Sequence, residues 1–264
     1  MLRKFWHSVP KTIRVCFYHV LSKVGEYIYP SDHSLVRRLP FGLYLKSCVR
    51  SQQNEAVALQ LVEKYTSVPV PLWIDDYEEN GSTTLIMTSV RGRSLQRVFH
   101  RISYQEREQL STDLKRIISE LRHIPNQTRY CFANTLGGAL FDYRVGEFGP
   151  FIQASDFHKH LLPEHTSTET RQAAALVHSR HQASFFTHAD LNWTNILIDQ
   201  GRLSGLVDWE CAGYFPGYWE FTKAMYGIMN NEDMEKIVGD TFDQDYTDEL
   251  EVERKLWRES PWGI

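Results

Sequence analysis

Cysteine is scarce in this 264-residue, 30.9 kDa chain: four residues, Cys16, Cys48, Cys131 and Cys211, lie scattered along it. No Cys-x-x-Cys pair occurs, which excludes a disulfide scaffold and a structural zinc site and leads to the expectation of a reducing, cytoplasmic setting. Long apolar runs are missing too. Each candidate is broken by Arg, Lys or His, so no membrane-spanning helix is expected. The opening MLRKFWHSVPKTIRVCFYHVL lacks the unbroken apolar centre and small-residue cleavage site of a secretory signal. The sequons at Asn80, Asn126 and Asn192 therefore read as chance matches. There is no basic excess either: 29 Lys+Arg against 33 Asp+Glu give a net charge of -4 and a pI near 6.3. A protein that grips nucleic-acid backbone is usually basic, so that class is disfavoured. Internal repeats and low-complexity linkers are absent. What remains, 42% hydrophobic and 13% aromatic, is ordinary globular composition. The length suffices for one large domain or two lobes.

Ile13, Phe17, Val20, Leu21, Val24 and Ile28 recur at helical spacing between Lys11, Arg14 and Lys23, which predicts an amphipathic helix over 11–29, ended by Pro30. Such a helix suits either an acidic membrane surface or, preferred here, packing on the domain as an N-terminal extension. A hairpin follows, HSLVRRL and LYLKSCV around a Pro40-Phe41-Gly42 turn. NEAVALQLVEKY reads as a helix, and PLWIDDY and TTLIMTSV flank an Asn80-Gly81 hairpin turn. Past Arg91-Gly92 the texture becomes helical: YQEREQLSTDLKRIISELRHI, then 155–162, 168–182 and an acidic C-terminal region from Tyr218. TLGGALFDYRVGEFGPFI reads as loop. FFTH, NILID and LSGLVDW read as strands, with a Gln200-Gly201 turn between the last two. A β-rich first third, a glycine hinge and a helical bulk with an embedded hairpin predict two lobes and a cleft between them.

FFTHADLNWTNILIDQGRLSGLVDWE carries the chemistry. It places His188-x-Asp190-x4-Asn195 on a loop and returns Asp208 on a second strand. A carboxylate beside a carboxamide, with a second carboxylate delivered by a hairpin, matches what a magnesium–nucleotide needs, because Mg²⁺ takes hard oxygen ligands and keeps most of its waters. A hydroxyl attacking a phosphoryl group needs a carboxylate to orient it and accept its proton. Asp190 is thus the candidate base, Asn195 and Asp208 are the candidate metal ligands, and His188 is a candidate for orienting the loop.

With LPFGLYLK, NEAVALQLVEKYTSVPVP, GGALFDYRVGEFGPF, FFTHADLNWTNILID and GLVDWECAGYFPGYWE in this order, the chain resembles the aminoglycoside phosphotransferase/choline kinase family, closest to its fungal type. The resemblance implies an α+β, protein-kinase-like two-lobed fold. It divides the chain into an N-terminal helical extension (1–32), a nucleotide-binding β-rich N-lobe (33–90) and a helical C-lobe (91–264). It further implies an ATP- or GTP- and Mg²⁺-dependent transfer to the hydroxyl of a small molecule, with neither nucleic acid nor membrane span involved. In this family the residue matching Lys46 holds the α/β-phosphates and is aimed by the residue matching Glu55. An adenine edge would meet the backbone around Thr88, Ser89 and Val90, where many relatives carry Glu-Tyr, with Met87 behind it.

Two departures stand out. The family pattern has a Gly-rich phosphate loop, whereas the sole glycine nearby is Gly42, and no Walker-type GxxxxGK occurs. A pseudokinase-like binding module is therefore the alternative reading. The chain also has Asp208-Trp209-Glu210 instead of Asp-Phe-Gly and no Ala-Pro-Glu segment, which disfavours a protein kinase. Acidic candidates for acceptor recognition are Asp142, Glu147, Glu210 and Glu220; aromatic ones are Trp193, Trp209, Tyr214, Phe215, Tyr218 and Trp219, most of them expected to seal the core. His158, His160 and His165 lack zincin spacing and read as surface residues. The acidic stretch 232–253 reads as a solvated face.

Overall fold

Alternating side chains build the N-lobe sheet. In the computed structural model, which describes residues 2–29, 35–48, 53–79, 81–180, 182–228 and 231–260, strand β1 (Val36–Leu39) pairs antiparallel with β2 (Leu43–Cys48). β3 (Trp73–Glu79) and β4 (Ser82–Thr88) complete a sheet of order β1-β2-β4-β3. Register puts Lys46 opposite both Val36 and Leu85, so these three share one face. Helix α3 (Asn54–Tyr65) packs on that face through Ala56, Leu59 and Val62.

The opposite face is covered by the N-terminal helices α1 (Leu2–Ser8) and α2 (Lys11–Ile28). Tyr18 and Leu21 join Leu39, Tyr77 and Ile86 in a small core of their own. Asp75, buried in β3, pins the pair: it accepts from the Tyr18 hydroxyl at 3.0 Å and pairs with Arg14. Helix α2 forms where the spacing predicts it, preceded by the seven-residue α1, but it packs through Tyr18, Leu21 and Gly25, while Ile13, Phe17, Val20, Val24 and Ile28 of the predicted apolar face are exposed. Pro30, His33, Ser34, Asn80 and the expected boundary at 32/33 lie outside the described residues.

Gly25 is the point of closest approach between α2 and β1. A Cβ there would fall inside van der Waals contact of the Arg38 carbonyl oxygen. Gly25→Ala should therefore lift α2 and cost about 1–3 kcal/mol, roughly 3–10 °C in Tm. Gly239→Ala, at an exposed site on helix α9 (Glu232–Thr241) with nothing within 4 Å of the new methyl, should raise Tm slightly through helix propensity. Equal melting points for the two variants in a thermal melt would contradict this packing.

The C-lobe is organised around helix α5 (Tyr104–Arg122), which starts with a Ser103/Glu106 capping box and buries Leu110, Leu114, Ile117 and Leu121. Two short helices, α6 (Ala154–His160) and α7 (Thr168–His178), are somewhat shorter than predicted. The helices α8 (Trp219–Gly227), α9 and α10 (Thr247–Glu259) close the lobe. Two short strands mark the passage out of the N-lobe and into the central loop: β5 (Arg93–Ser94), followed by the single helical turn α4 (Leu95–Val98), and β6 (Ala133–Asn134). The Gly- and aromatic-rich segment predicted as loop folds into β7 (Leu140–Asp142) and β8 (Gly146–Phe148), joined through a turn that Asp142 organises by accepting from the Arg144 and Val145 N–H groups at 2.9 and 3.0 Å.

Strands β9 (Ser184–Thr187), β10 (Ile196–Asp199) and β11 (Arg202–Leu206) form as expected, and an unpredicted β12 (Gly213–Pro216) pairs with β9 and β6. Gln200 and Gly201 both adopt positive φ (49° and 75°), as a two-residue hairpin requires. Behind the hinge, Gly92 at φ 115° passes so close to the β10–β11 hairpin that a Cβ would clash with the Ile198 carbonyl.

Candidate active site

Strand β9 delivers the chain to a tight loop, residues 188–195, and the hairpin β10–β11 brings it back at Asp208. Asp190 is held from two sides. The Asn195 amide donates to its Oδ2 at 2.8 Å and to its carbonyl at 2.9 Å, and the Asn192 amide donates to Oδ1 at 3.0 Å. Burial pushes the Asp190 carboxyl up to about 6; the two amides pull against this, and the charge of Asp208 adds to it. An ionised carboxylate near neutrality with a raised proton affinity suits a general base.

Beneath this loop, His188 is fully buried. Its Nδ1 accepts from the Asp190 N–H at 3.2 Å and its Nε2 lies 3.0 Å from the Val207 carbonyl, to which it donates. Burial lowers its pKa to about 4, so it is a neutral strut linking the two halves of the hairpin. Its grouping with the catalytic residues on sequence grounds is narrowed to a positioning role, since no reactant can reach a fully buried ring. Glu220 on α8 does similar work: its carboxylate accepts from the His188 N–H at 2.6 Å and the Ala189 N–H at 3.1 Å, where Ala189 takes φ 65°. Burial pushes the Glu220 carboxyl up to about 7, against the pull of those two N–H groups. Expected to meet an acceptor, Glu220 instead sits under the 188–195 loop.

Lys46 on β2 and Glu55 on α3 meet at 2.7 Å, with the Glu55 side chain almost wholly buried. Lys46 also pairs with Asp208, and Glu210 Oε2 lies 3.3 Å away. Burial alone would lower the Lys46 pKa, but the carboxylates of Glu55, Asp208 and Glu210 outweigh it and keep the ammonium charged. Glu55, Asp208 and Glu210 place ligand oxygens within 4.8 Å of one another. Asp208 itself is at φ 68°, a conformation non-glycine residues seldom adopt, and its neighbour Trp209 donates its N–H to Glu55 Oε1 at 3.3 Å.

Two further residues here carry no signal in the sequence. The Tyr143 hydroxyl donates to Glu210 Oε1 at 2.6 Å. Buried Asn54, next to Glu55, donates its amide to the carbonyls of Glu210 (3.0 Å) and Ala212 (2.8 Å) and accepts from Thr135 N at 2.9 Å. Asn residues at helix starts normally cap; this one bonds across the lobes, and only tertiary structure reveals it.

Other predicted residues are placed differently. Gly42 lies at the hinge end of β2, and its carbonyl accepts from Ser89 N–H at 2.7 Å. It sits four residues before Lys46, in the turn immediately ahead of β2. Thr88 N–H is committed to the Leu72 carbonyl at 3.0 Å, so neither Thr88 nor Ser89 has its N–H free to meet an adenine edge. Val90 follows them at the hinge. Asp142 is buried against Lys223 at 2.6 Å, and Trp209, Tyr214, Phe215, Tyr218 and Trp219 are all core. Glu147 is exposed, and Trp193 is half-buried on the 188–195 loop against Phe99. His158, read as a surface residue, stacks inside the lobe on His178 at 4.4 Å, because α6 and α7 close over it. Several residues of the acidic C-terminal stretch pair with Arg or Lys, among them Arg107–Asp233 at 2.5 Å and Arg180–Asp248 at 2.8 Å.

A small antiparallel sheet lobe bearing a Lys–Glu pair, set on a helical lobe that carries the Asp190 loop, defines a protein-kinase-like architecture. Residues 32–259 match the family model described as "Phosphotransferase enzyme family", and the chain belongs to that family. Its fold is similar to that of the aminoglycoside phosphotransferase APH(4)-Ia, with TM-score 0.61 and 15% identity over 87% of this chain and 81% of that one. It is also similar to APH(3'')-Id from Streptomyces rimosus, solved with ADP and streptomycin (TM-score 0.53, 17% identity, 86% and 90% covered). A third similar structure is the macrolide 2'-phosphotransferase MphH from Brachybacterium faecium (TM-score 0.52, 11% identity, 86% and 79% covered). No curated protein sequence matches the chain.

Proposed function

We propose that the protein transfers the γ-phosphoryl group of ATP or GTP, with Mg²⁺, to a hydroxyl of a small molecule in the cleft between a lobe ending near Val90 and the helical lobe beyond it. The observation that carries this reading is the convergence of Lys46, Glu55 and Asp208 across the cleft from an Asp190 clamped by Asn192 and Asn195. Three carboxylates around one ammonium leave an all-oxygen site with negative charge to spare, which fits a hard divalent ion. Asp208 and the Asn195 amide oxygen would hold Mg²⁺, which when bound supplies charge neutralisation for the triphosphate. Lys46, aimed by Glu55, neutralises the α/β-phosphates. Asp190 orients the acceptor hydroxyl and takes its proton, and most of the acceleration comes from positioning. The reactants are small and water-borne, which fits a cytoplasmic enzyme.

Saturating ATP or GTP with Mg²⁺ should raise Tm by roughly 5–10 °C, as occupancy at about 100 times Kd implies for a chain of this size. EDTA should remove most of that shift. A melting point unmoved by either nucleotide with Mg²⁺ would reject the reading. The binding-module alternative has one observation behind it: the β1 edge of the sheet is overlain by α2, and the Gly42 turn lies at the hinge. Phosphate transfer in a metabolite-library screen with labelled ATP separates the two, since a binding module gives the melting shift without product.

A further inference from the structure

Helix α2 has two apolar faces, and the sheet uses one. Tyr18, Leu21 and Gly25 are buried against β1 and β3, while Ile13, Phe17, Val20, Val24 and Tyr27 form a second stripe at i, i+4, i+7, i+11 and i+14. That stripe faces solvent: Val20 is 59% exposed and Tyr27 91%, and Phe5 of α1 adds a further ring at 71%. An exposed apolar strip of four helical turns is more than a soluble surface ordinarily carries, and such strips mark contact with something. Charge says with what. Residues 2–28 hold five Lys/Arg and one acidic residue, within a chain whose net charge is -4. Arg3 and Arg14 turn inward to Glu63 and Asp75, and Lys11 lies half a turn round α2 from Val20, leaving Lys4 of α1 and Lys23, which flanks the stripe, as the exposed lysines for a lipid surface.

We propose that α1 and α2 dock the protein in-plane on an anionic lipid surface, with the second apolar stripe of α2 entering the headgroup boundary and Lys4 and Lys23 meeting lipid phosphates and carboxylates. The physical case is the one for interfacial amphipathic helices: buried apolar area supplies affinity and basic residues select negative lipid. No helix among the described residues is long and apolar enough to cross a membrane, so the contact is superficial. The docking face lies opposite the sheet face bearing Lys46, so the cleft stays open to water while the protein is bound. The proposal does not depend on the phosphotransferase reading.

The test is flotation of the full chain with phosphatidylcholine vesicles, with and without phosphatidylserine, alongside light scattering of the protein alone. The wild type should float with the serine-containing vesicles at least about tenfold more than with neutral ones, and should do so less at about 0.5 M salt. Val20→Glu/Val24→Glu should reduce flotation about tenfold with Tm unchanged. Lys4→Gln/Lys23→Gln should erase the preference for negative lipid, and this variant decides the matter if the glutamate pair misfolds. The proposal is overturned if the wild type does not float, if neutral and anionic vesicles bind equally, or if both variants float like wild type. It is equally overturned if the wild type is a dimer that Val20→Glu/Val24→Glu dissociates, since a second copy then covers the stripe.

Discussion

Asp190→Asn should lower kcat for phosphoryl transfer by about 10²–10⁴ while the nucleotide-dependent rise in Tm stays in place. The amide keeps the shape of the carboxylate, and its neighbours are two side-chain amides, so the loop should hold with modest local rearrangement. What is lost is a group able to accept the hydroxyl proton. The pH profile of the wild type gives the second half of the same prediction. Burial pushes the Asp190 carboxyl up to about 6, and only the ionised form can act as base. The rate should therefore rise with pH through about 6 and flatten above it, and that limb should vanish from the residual activity of Asp190→Asn. A wild-type rate independent of pH between about 5 and 7 would remove Asp190 from the role, as would an Asn variant of normal kcat.

Glu220→Ala is expected to be the most damaging substitution outside the cleft itself. Its two oxygens are the acceptors for consecutive backbone N–H groups, His188 and Ala189, in a place with no solvent access. Stranding two buried donors costs about 2–4 kcal/mol in total, roughly 5–15 °C in Tm for a domain of this size. The catalytic consequence is separable from the stability loss. Ala189 sits at φ 65°, a conformation that the loop keeps because Glu220 grips its N–H and the one before it. Once released, the peptide relaxes and Asp190 leaves its place, so kcat should fall about tenfold or more while KM for the nucleotide barely moves. Glu220→Gln retains one acceptor oxygen and should recover part of both losses. Normal kcat in Glu220→Ala, assayed well below its melting point, would show that the loop holds its shape without this carboxylate.

How much of this was readable beforehand depends on whether the signal was local. The Asp190 loop and its hairpin were legible because strand, turn and strand follow in unbroken order, with Gln200-Gly201 announcing the reversal. Helix α5 and the existence of α2 were legible through helical periodicity, but over 11–29 that periodicity picked out Ile13, Phe17, Val20, Val24 and Ile28, which are exposed, and of the buried face only Leu21. The short strands β6, β7, β8 and β12 were not, because two to four residues carry too little alternation to register, and β12 is buried along its whole length. Glu220, Asp142 and His158 were misplaced for a common reason: a charged or titratable side chain reads as exposed until its partners are known, and the backbone N–H groups, Lys223 and His178 that accommodate them come from distant parts of the chain. Gly42 was misassigned through register. Its spacing from Lys46 suits a phosphate loop, but β2 carries it toward the hinge. Asn54 gave no signal at all.

That last residue has a consequence for how the enzyme is governed. In many kinase-like proteins the helix bearing the counterpart of Glu55 swings in and out, and regulation acts by choosing its position. Here the amide of Asn54 is bolted to the carbonyls of Glu210 and Ala212 and to Thr135, so the helix cannot depart without breaking several buried bonds at once. A regulator that worked by displacing α3 would have to supply the energy of those bonds first.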